Sequence, residues 1–559
     1  MKHKFFKILS ILVFLIPILA NAQPAQRDTI VTTLYAYRVY LADKANSPYS
    51  VSQPEAFLSQ RAIDKRNRYN IPITEEDLPV NPAYVDGIRQ LSSGFNVWTQ
   101  SKWTNTVTVF TYDTTHLAEL RNLPYVDSIM SIDAYYFYDV RSEGQPELGT
   151  RDSIPAVDTS YYGDAYRQIA LHNGQMLHSE GFRGEGMLIA VIDGGWEGFN
   201  STSAFGDLYD NGHIVGTYNV LPHESSVYNL TDHGTCCTST IAANLEYRMV
   251  GTAPNADFVF IRTEDVPVER LFEEDFWVRG AEIADSLGAD IISSSLGYCN
   301  FDDTVSHYLD YSTCDGRWSI ASRAATIAAH KGIVVCVAAG NEGMNRWHKL
   351  ARPSDAEDIL CVGAVNVDSI YAPFSGCGPS YDGRVKPDVA ACGWDTYVVR
   401  ADGSIQAGNG TSFATPIIAG LSACLWQAIP QLSSLEIMQI IRESGNQYSN
   451  PDTLTGYGIP DFYQAWLAHH TEAISEYQEP SDYTLYPNPC TDRVTLGNSQ
   501  GHAVRYCLFN LNGQIVDATW APMSDEVFTI NLSGQASGIY FLQIQNEKGR
   551  VEVFKVVKK

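Results

Sequence analysis

Positive charge is scarce in this chain. Thirty-eight Lys and Arg stand against 64 Asp and Glu in 559 residues, which leaves a net charge of −26. So acidic a surface disfavours nucleic acid and anionic membranes as partners. Cysteine is absent from the first 235 residues, and the 11 present form neither a Cys-x-x-Cys nor a Cys/His zinc spacing. An odd count leaves at least one thiol unpaired. Cys299 and Cys314 flank a polar loop and are the expected bridge, whereas Cys336 and Cys361 lie in strand-like apolar runs and read as small buried hydrophobes. Beyond the N-terminus no apolar run is long enough to span a membrane, and there is no internal repeat. His-Glu-x-x-His is missing, since His223-Glu224 has no second His, and residues 151–470 hold no Gly-x-Ser-x-Gly elbow. With 45% hydrophobic and 11% aromatic residues, including 32 Tyr, the chain is not disordered or collagen-like. At about 150 residues per domain, the length predicts three or four domains.

The N-terminus carries an address. Lys2, His3 and Lys4 precede an apolar run from Phe5 to Leu19, and Ala20-Asn21-Ala22 is a small-x-small cleavage pattern before Gln23. This reads as a signal peptide over 1–22 rather than an anchor, and no Cys follows for lipidation. Residues 23–150 hold an α+β domain and a linker. Tyr37–Leu41, Phe95–Trp98, Val107–Thr111 and Val126–Ile132 read as strands; Pro54–Arg68, Ala83–Leu91 and His116–Leu123 read as helices, in a βαββαβ pattern. Ser142–Thr159 is a Gly/Pro/Asp/Ser-rich linker. Over 151–470 the pattern becomes βα alternation. Continuous apolar runs at 187–193, 257–261, 289–295, 333–338 and 358–363 predict parallel strands in an open doubly wound α/β sheet, with helices such as Glu273–Leu287 and Trp318–Lys331 between them. After a polar linker (His469–Asp482), residues 483–559 show short strands separated by Asn, Gly and Ser turns, which predict a small antiparallel sandwich.

Three segments of the α/β region carry chemistry. Asp193 ends an apolar strand before Gly194-Gly195. His233 opens a helix in His-Gly-Thr-Cys-Cys, and Ser412 opens another in Gly-Thr-Ser-Phe-Ala-Thr-Pro. Singly these are a turn former, a structural histidine and an N-cap serine. In the order Asp…His…Ser they match one of the known triad arrangements. Two more segments agree with it: Ala338-Ala339-Gly340-Asn341 after one strand, and Ser294-Ser295-Leu296-Gly297 after another.

On these motifs the region resembles the subtilisin-like serine peptidases. The resemblance implies Ser412 as nucleophile, His233 as base, Asp193 as its orienting carboxylate and Asn341 as oxyanion donor. It also implies Ser295, Leu296, Gly297, Ala339 and Gly340 as substrate-binding positions. Cys236 replaces the second His of the family's His-Gly-Thr-His, Cys237 falls where one subgroup has a free Cys under the catalytic His, and Phe413 replaces a Met. Tyr298 stands where many relatives have Gly, and is expected to reshape the pocket mouth. The N-terminal domain resembles subtilase propeptides. The C-terminal module, with Tyr486-Pro-Asn-Pro, Leu511-Asn-Gly and Gly538-Ile-Tyr-Phe, resembles the type A sorting domain of the Bacteroidetes type IX secretion system. Together these imply a secreted serine endopeptidase made as a preproprotein and exported through the periplasm and across the outer membrane. Its partners are protein or peptide substrates and the secretion machinery, with no membrane span in the mature protein and a monomeric state expected. No cofactor is required; the structural calcium of many relatives has no assignable ligands here. The rival reading is a catalytically silent scaffold acting as a surface binding protein.

Overall fold

The computed structural model describes residues 33–91, 94–136, 161–221, 225–266, 269–299, 301–302, 310–476, 483–498, 504–510, 514–523, 527–546 and 551–559. The signal segment and the 142–159 linker lie outside them. The chain divides into two compact units, one running to Trp466 and one from Leu467.

The first unit begins with a four-stranded antiparallel sheet of β1 (Thr33–Leu41), β2 (Asn96–Ser101), β3 (Thr106–Thr111) and β4 (Val126–Tyr136), in the order β2-β3-β1-β4. Helices α1 (Gln60–Arg68), α2 (Pro82–Arg89) and α3 (Leu117–Arg121) connect the strands. The helix expected over Pro54–Arg68 is broken: Pro54–Ala56 is a 3₁₀ turn, and the Ser59 side chain caps a new start at Gln60 by accepting from Ala62 N–H. Val107 and Val109 of β3 pack with Tyr37 and Val39 of β1, Val85 and Ile88 of α2, and Leu120 of α3. Yet all six β3 residues are buried, Thr106 and Thr108 included. An antiparallel sheet usually leaves one face to water. Here the other face is docked.

The surface it docks on is α5 (Glu273–Leu287). Arg38 makes a two-pronged contact with Asp275, at 2.8 Å from Nε and 2.6 Å from Nη2, and Thr108 Oγ1 donates to the same carboxylate at 2.7 Å. Ser101 Oγ and the Trp103 N–H both donate to Glu282, at 2.6 and 3.0 Å. Asp285 receives Lys102 at 2.8 Å and Arg66 at 2.7 Å. Trp98 and Phe110 stack on each other and meet Phe272 and Phe276 edge-on or offset. Burial alone would raise the Asp285 carboxyl, but Lys102 and Arg66 outweigh it and hold it at about 2.

The rest of this unit is a seven-stranded parallel sheet built from β5 (Leu188–Asp193), β6 (Ile214–Asn219), β7 (Asp257–Arg262), β8 (Ile291–Ser294), β9 (Val334–Ala338), β10 (Leu360–Val365) and β11 (Val389–Cys392). The order is β11-β10-β9-β8-β5-β7-β6, so winding reverses between β5 and β8. Strands β6 and β11 are additions to the sequence expectation. β6 is a half-exposed edge strand holding Gly216, Thr217 and Asn219, so it lacks the continuous apolar run that marked the central strands. A hairpin of β12 (Thr396–Val399) and β13 (Ile405–Gly408) follows. Helix α4 (His233–Ala242) and α6 (Ile320–His330) flank the sheet, and α7 (Thr411–Ala428) is buried from Thr411 through Trp426. Such a helix is apolar on all sides because every side meets protein. After α8 (Ser434–Glu443), α9 runs Phe462–Glu476, so His469–Glu476 is helical rather than linker.

The second unit is two antiparallel sheets. One holds β14 (Tyr483–Tyr486), β15 (Arg493–Asn498) and β18 (Val527–Asn531); the other holds β16 (Val504–Asn510), β17 (Ile515–Met523), β19 (Gly538–Asn546) and β20 (Val551–Lys558). They close on one core, where Val494, Leu496 and Ile530 meet Leu508, Leu542, Ile544 and Val556.

The expected Cys299–Cys314 bridge is not formed. None of the eleven cysteines forms a disulfide; ten of them are buried and Cys507 is partly exposed. Both Cys299 and Cys314 are packed into the interior as small hydrophobes. A thiol reagent should therefore titrate about one equivalent rapidly in the native chain and eleven in denaturant; fast reaction of several thiols in native protein would contradict this packing.

Arg38→Ala should strand Asp275 without its cation and weaken docking by about 3–5 kcal/mol. Calorimetry of the full chain should show the 33–136 domain melting earlier, whereas Arg38→Met with Asp275→Leu should cost less. Because Asp285 is depressed, its contribution to docking is complete above its free value near ~3.9 and is lost only as pH falls toward about 2. Release of the domain at pH 5–6 would disprove this ionic basis.

Candidate active site

In open α/β sheets the usable crevice lies beyond the carboxyl ends of strands, at the point where winding reverses. Here that point is between β5 and β8. Asp193 is the last residue of β5, Ser295 follows β8, and Asn341 follows the neighbouring β9.

Asp193 is fully buried. Its Oδ1 accepts the Gly194 N–H at 2.7 Å and lies 2.8 Å from His233 Nδ1. A carboxylate only accepts, so this contact puts the ring proton on Nδ1 and leaves Nε2 with its lone pair. Burial disfavours the imidazolium, but the Asp193 carboxylate, helped by Cys237, more than offsets this and holds His233 well above the usual value near 6.5. The loop and the helix start approach backbone to backbone. Gly234 N–H donates to the Gly195 carbonyl at 2.9 Å, and a Cβ on Gly234 would lie 2.6 Å from that oxygen. Only glycine after the histidine permits this approach.

Ser412 is the second residue of α7 and is 6% exposed. Its hydroxyl donates to the Ser295 carbonyl at 3.3 Å and makes no hydrogen bond with His233 in this resting arrangement. Such contacts commonly tighten only when substrate binds. Pro416 is the sixth residue of α7, deeper than the first turn. It has no N–H for the carbonyl four residues back, which is that of Ser412. Two side chains fill the gap: Ser295 Oγ donates to the Ser412 carbonyl at 2.7 Å and Cys237 Sγ at 3.3 Å. The proline thus converts a helix carbonyl into an anchor for Ser412.

Asn341 is held by its oxygen. Oδ1 accepts the Thr411 N–H at 2.9 Å and the Thr411 hydroxyl at 3.1 Å, which leaves Nδ2 to donate elsewhere. Gly340 before it has φ +101, a left-handed conformation, and a Cβ there would lie 2.4 Å from Glu342 Oε2. Ala351, which sequence reasoning passed over, sits between the two segments expected to bind substrate: added Cβ atoms on Gly297 and Gly340 would lie 2.7 and 3.0 Å from its methyl. Leu296 and Gly297 are partly exposed, while Ala339 is buried and its carbonyl accepts from Ala351 N–H at 3.0 Å. Thr411 was also missed; nothing in its sequence context signals that it orients Asn341.

Tyr298 does not shape a pocket mouth. It is 1% exposed and its hydroxyl donates to Glu264 Oε1 at 2.7 Å. Burial pushes Glu264 up to about 7 against that hydrogen bond. Phe413 packs with Cys236, Cys237 and Val398. Cys237 Sγ lies 3.8 and 3.9 Å from the two ring nitrogens of His233, and burial raises its thiol. Among the described residues, Asp193, His233 and Cys237 form the one group of potential metal ligands close enough to share an ion. No carboxylate cluster of calcium type accompanies it among the described residues.

Three known families match the chain: the subtilase family over residues 184–458, the Bacteroidota peptidase S8 propeptide domain over 36–145, and a secretion system C-terminal sorting domain over 484–559. Subtilisin E of Bacillus subtilis (strain 168) is 28% identical, over 54% of this chain and 73% of its own. Serine protease AprX of the same organism is 28% identical, over 54% and 69%. Subtilisin of Bacillus pumilus is 29% identical, over 51% and 92%.

Proposed function

Because the chain belongs to the subtilase family of serine peptidases, with an S8 propeptide domain before the peptidase and a sorting domain after it, we propose that it cleaves internal peptide bonds of proteins through Ser412, His233 and Asp193. The sorting domain marks the chain for export through type IX secretion to the cell surface or beyond. No helix among the described residues is long and apolar enough to cross a membrane. The observation that carries the catalytic reading is the 2.8 Å contact between a fully buried carboxylate and a histidine that opens a helix beside Ser412.

In the proposed reaction Ser412 Oγ leaves its contact with Ser295 and attacks the scissile carbonyl carbon as its proton passes to His233 Nε2. Asp193 holds the tautomer and stabilises the imidazolium. The developing oxyanion is met by Asn341 Nδ2 and the Ser412 N–H in the first turn of α7, where the Thr411 and Phe413 N–H groups are taken by Asn341 Oδ1 and the Gly410 carbonyl. His233 then protonates the leaving amine, and water repeats the sequence on the acyl-enzyme. Substrate main chain would lie along Ser295–Gly297 and Ala339–Gly340.

Ser412→Ala should lower turnover of casein by roughly 10⁶ and abolish labelling by a fluorophosphonate. Asn341→Ala should cost about 10²–10³, the scale of one oxyanion donor. Wild-type activity in Ser412→Ala, or an unlabelled native enzyme, would favour the silent-scaffold reading.

Only neutral imidazole accepts the Ser412 proton. Since His233 is held above 6.5, kcat/KM should fall as pH drops through a value on the alkaline side of 6.5. Asp193→Asn should move that limb downward along with a large loss of rate; a profile flat from pH 5 to 9 would exclude His233 as base.

A chain ending at residue 482 keeps α9 whole and removes a module with its own core. It should accumulate in the periplasm with Ser412 still reactive toward a fluorophosphonate, while the full chain reaches the medium or cell surface. Fractionation of the secreting host decides; equal extracellular amounts of both forms would assign the module to substrate binding instead.

A further inference from the structure

An aspartate at a helix N-cap ordinarily accepts an N–H of the first turn of its own helix. Asp232, at the N-cap of α4, makes no such bond. Its Oδ2 faces the β12–β13 hairpin, 3.0 Å from Arg400 Nε, and accepts the Ala401 N–H at 3.2 Å. Arg400 Nη1 also reaches Cys236 Sγ at 3.6 Å, and the Val399 N–H donates to Ser239 Oγ at 2.9 Å. The hairpin turn therefore grips α4 from its N-cap through its second turn. The pair is only partly solvated, with side-chain exposures of 29% for Arg400 and 18% for Asp232.

The same hairpin leads directly into the nucleophile. β13 ends at Gly408, Gly410 N–H donates to the Gly393 carbonyl at 2.8 Å, and α7 begins at Thr411. One short stretch thus joins the helix start carrying His233 to the helix start carrying Ser412. Asp193 fixes one edge of the imidazole, but it does not set the distance from Nε2 to Ser412 Oγ, which are not hydrogen-bonded at rest. That distance depends on how α4 sits against α7.

We propose that Arg400 is a positioning residue for the peptidase reaction: through Asp232 it holds the start of α4 so that His233 meets Ser412. This rests on the reading of Ser412, His233 and Asp193 given above. A displacement of an ångström at such a site costs up to about 10² in rate, so loss of the pair acts on turnover rather than on substrate binding.

The test uses enzyme recovered from the medium of the secreting host, with kcat expressed per fluorophosphonate-titrated site. Arg400→Met and Asp232→Asn should each lower kcat about tenfold, with KM and melting temperature little changed. Arg400→Lys should recover most of the loss. Because the two act as a unit, the double variant should be no slower than the slower single variant. The proposal is overturned if either single variant stays within about twofold of wild type, if KM rises in place of the fall in kcat, or if the two losses multiply. Should Arg400→Met not fold, Asp232→Asn decides alone, since it keeps the side-chain shape and an oxygen for Ala401. Ser412→Ala separates the two levels. Activity surviving in it overturns the site reading itself, whereas an inert Ser412→Ala beside wild-type kcat in Arg400→Met and Asp232→Asn overturns only the positioning role.

Discussion

Asp193 carries a charge that solvent does not reach. A buried carboxylate needs donors in place of its water, and at Oδ1 the Gly194 N–H and the His233 ring supply them, while Oδ2 has no hydrogen-bond partner among the described residues. That requirement fixes much else. The strand must end at the sheet's winding reversal, the next residue must turn its N–H back on the side chain, and a helix must begin within reach with histidine as its first residue. Its second must be glycine, because two backbones meet there. The ring is thereby both oriented and biased toward the protonated state.

The same accounting of polar groups explains the parts of the site that look incidental. Pro416 deletes one N–H, and the Ser412 carbonyl it orphans is taken over by Ser295 and Cys237. The segment after β8 and the histidine-bearing helix are consequently tied to the backbone of Ser412. Thr411 occupies the oxygen of Asn341 and so leaves the nitrogen as the end of that amide that can donate elsewhere. None of these bonds is strong individually, at about 0.5–1.5 kcal/mol each. Their value lies in leaving few alternative arrangements.

The three candidate residues stand out in the sequence because each lies at an abrupt change of local pattern, and the structure places them there: a strand end at Asp193 and helix starts at His233 and Ser412. The central strands were legible for a related reason, since β5, β8, β9 and β10 are covered on both faces and read as unbroken apolar runs. What stayed hidden depends on contacts between distant segments. Val107–Thr111 reads as a strand, but nothing in it signals that both of its faces are covered; Thr108 is buried and meets Asp275, 167 residues away. Tyr298 looked like a surface residue of the cleft because its neighbours are. Only the fold brings Glu264 beneath it. Cys299 and Cys314 were close in sequence across a polar loop, but proximity along a chain does not direct two side chains at one another.

The docked N-terminal domain meets the peptidase largely through Arg38, Arg66, Lys102, Ser101 and Thr108, with aromatic contact concentrated around Trp98 and Phe110. Water can replace the partners of the polar groups at little cost once the two bodies part. A fragment shed during maturation would therefore expose a mixed scar, polar around Arg38, Arg66 and Lys102 and apolar around Trp98 and Phe110. Once parted it would be open to digestion, and the departure would become irreversible for a kinetic reason that no interface energy records.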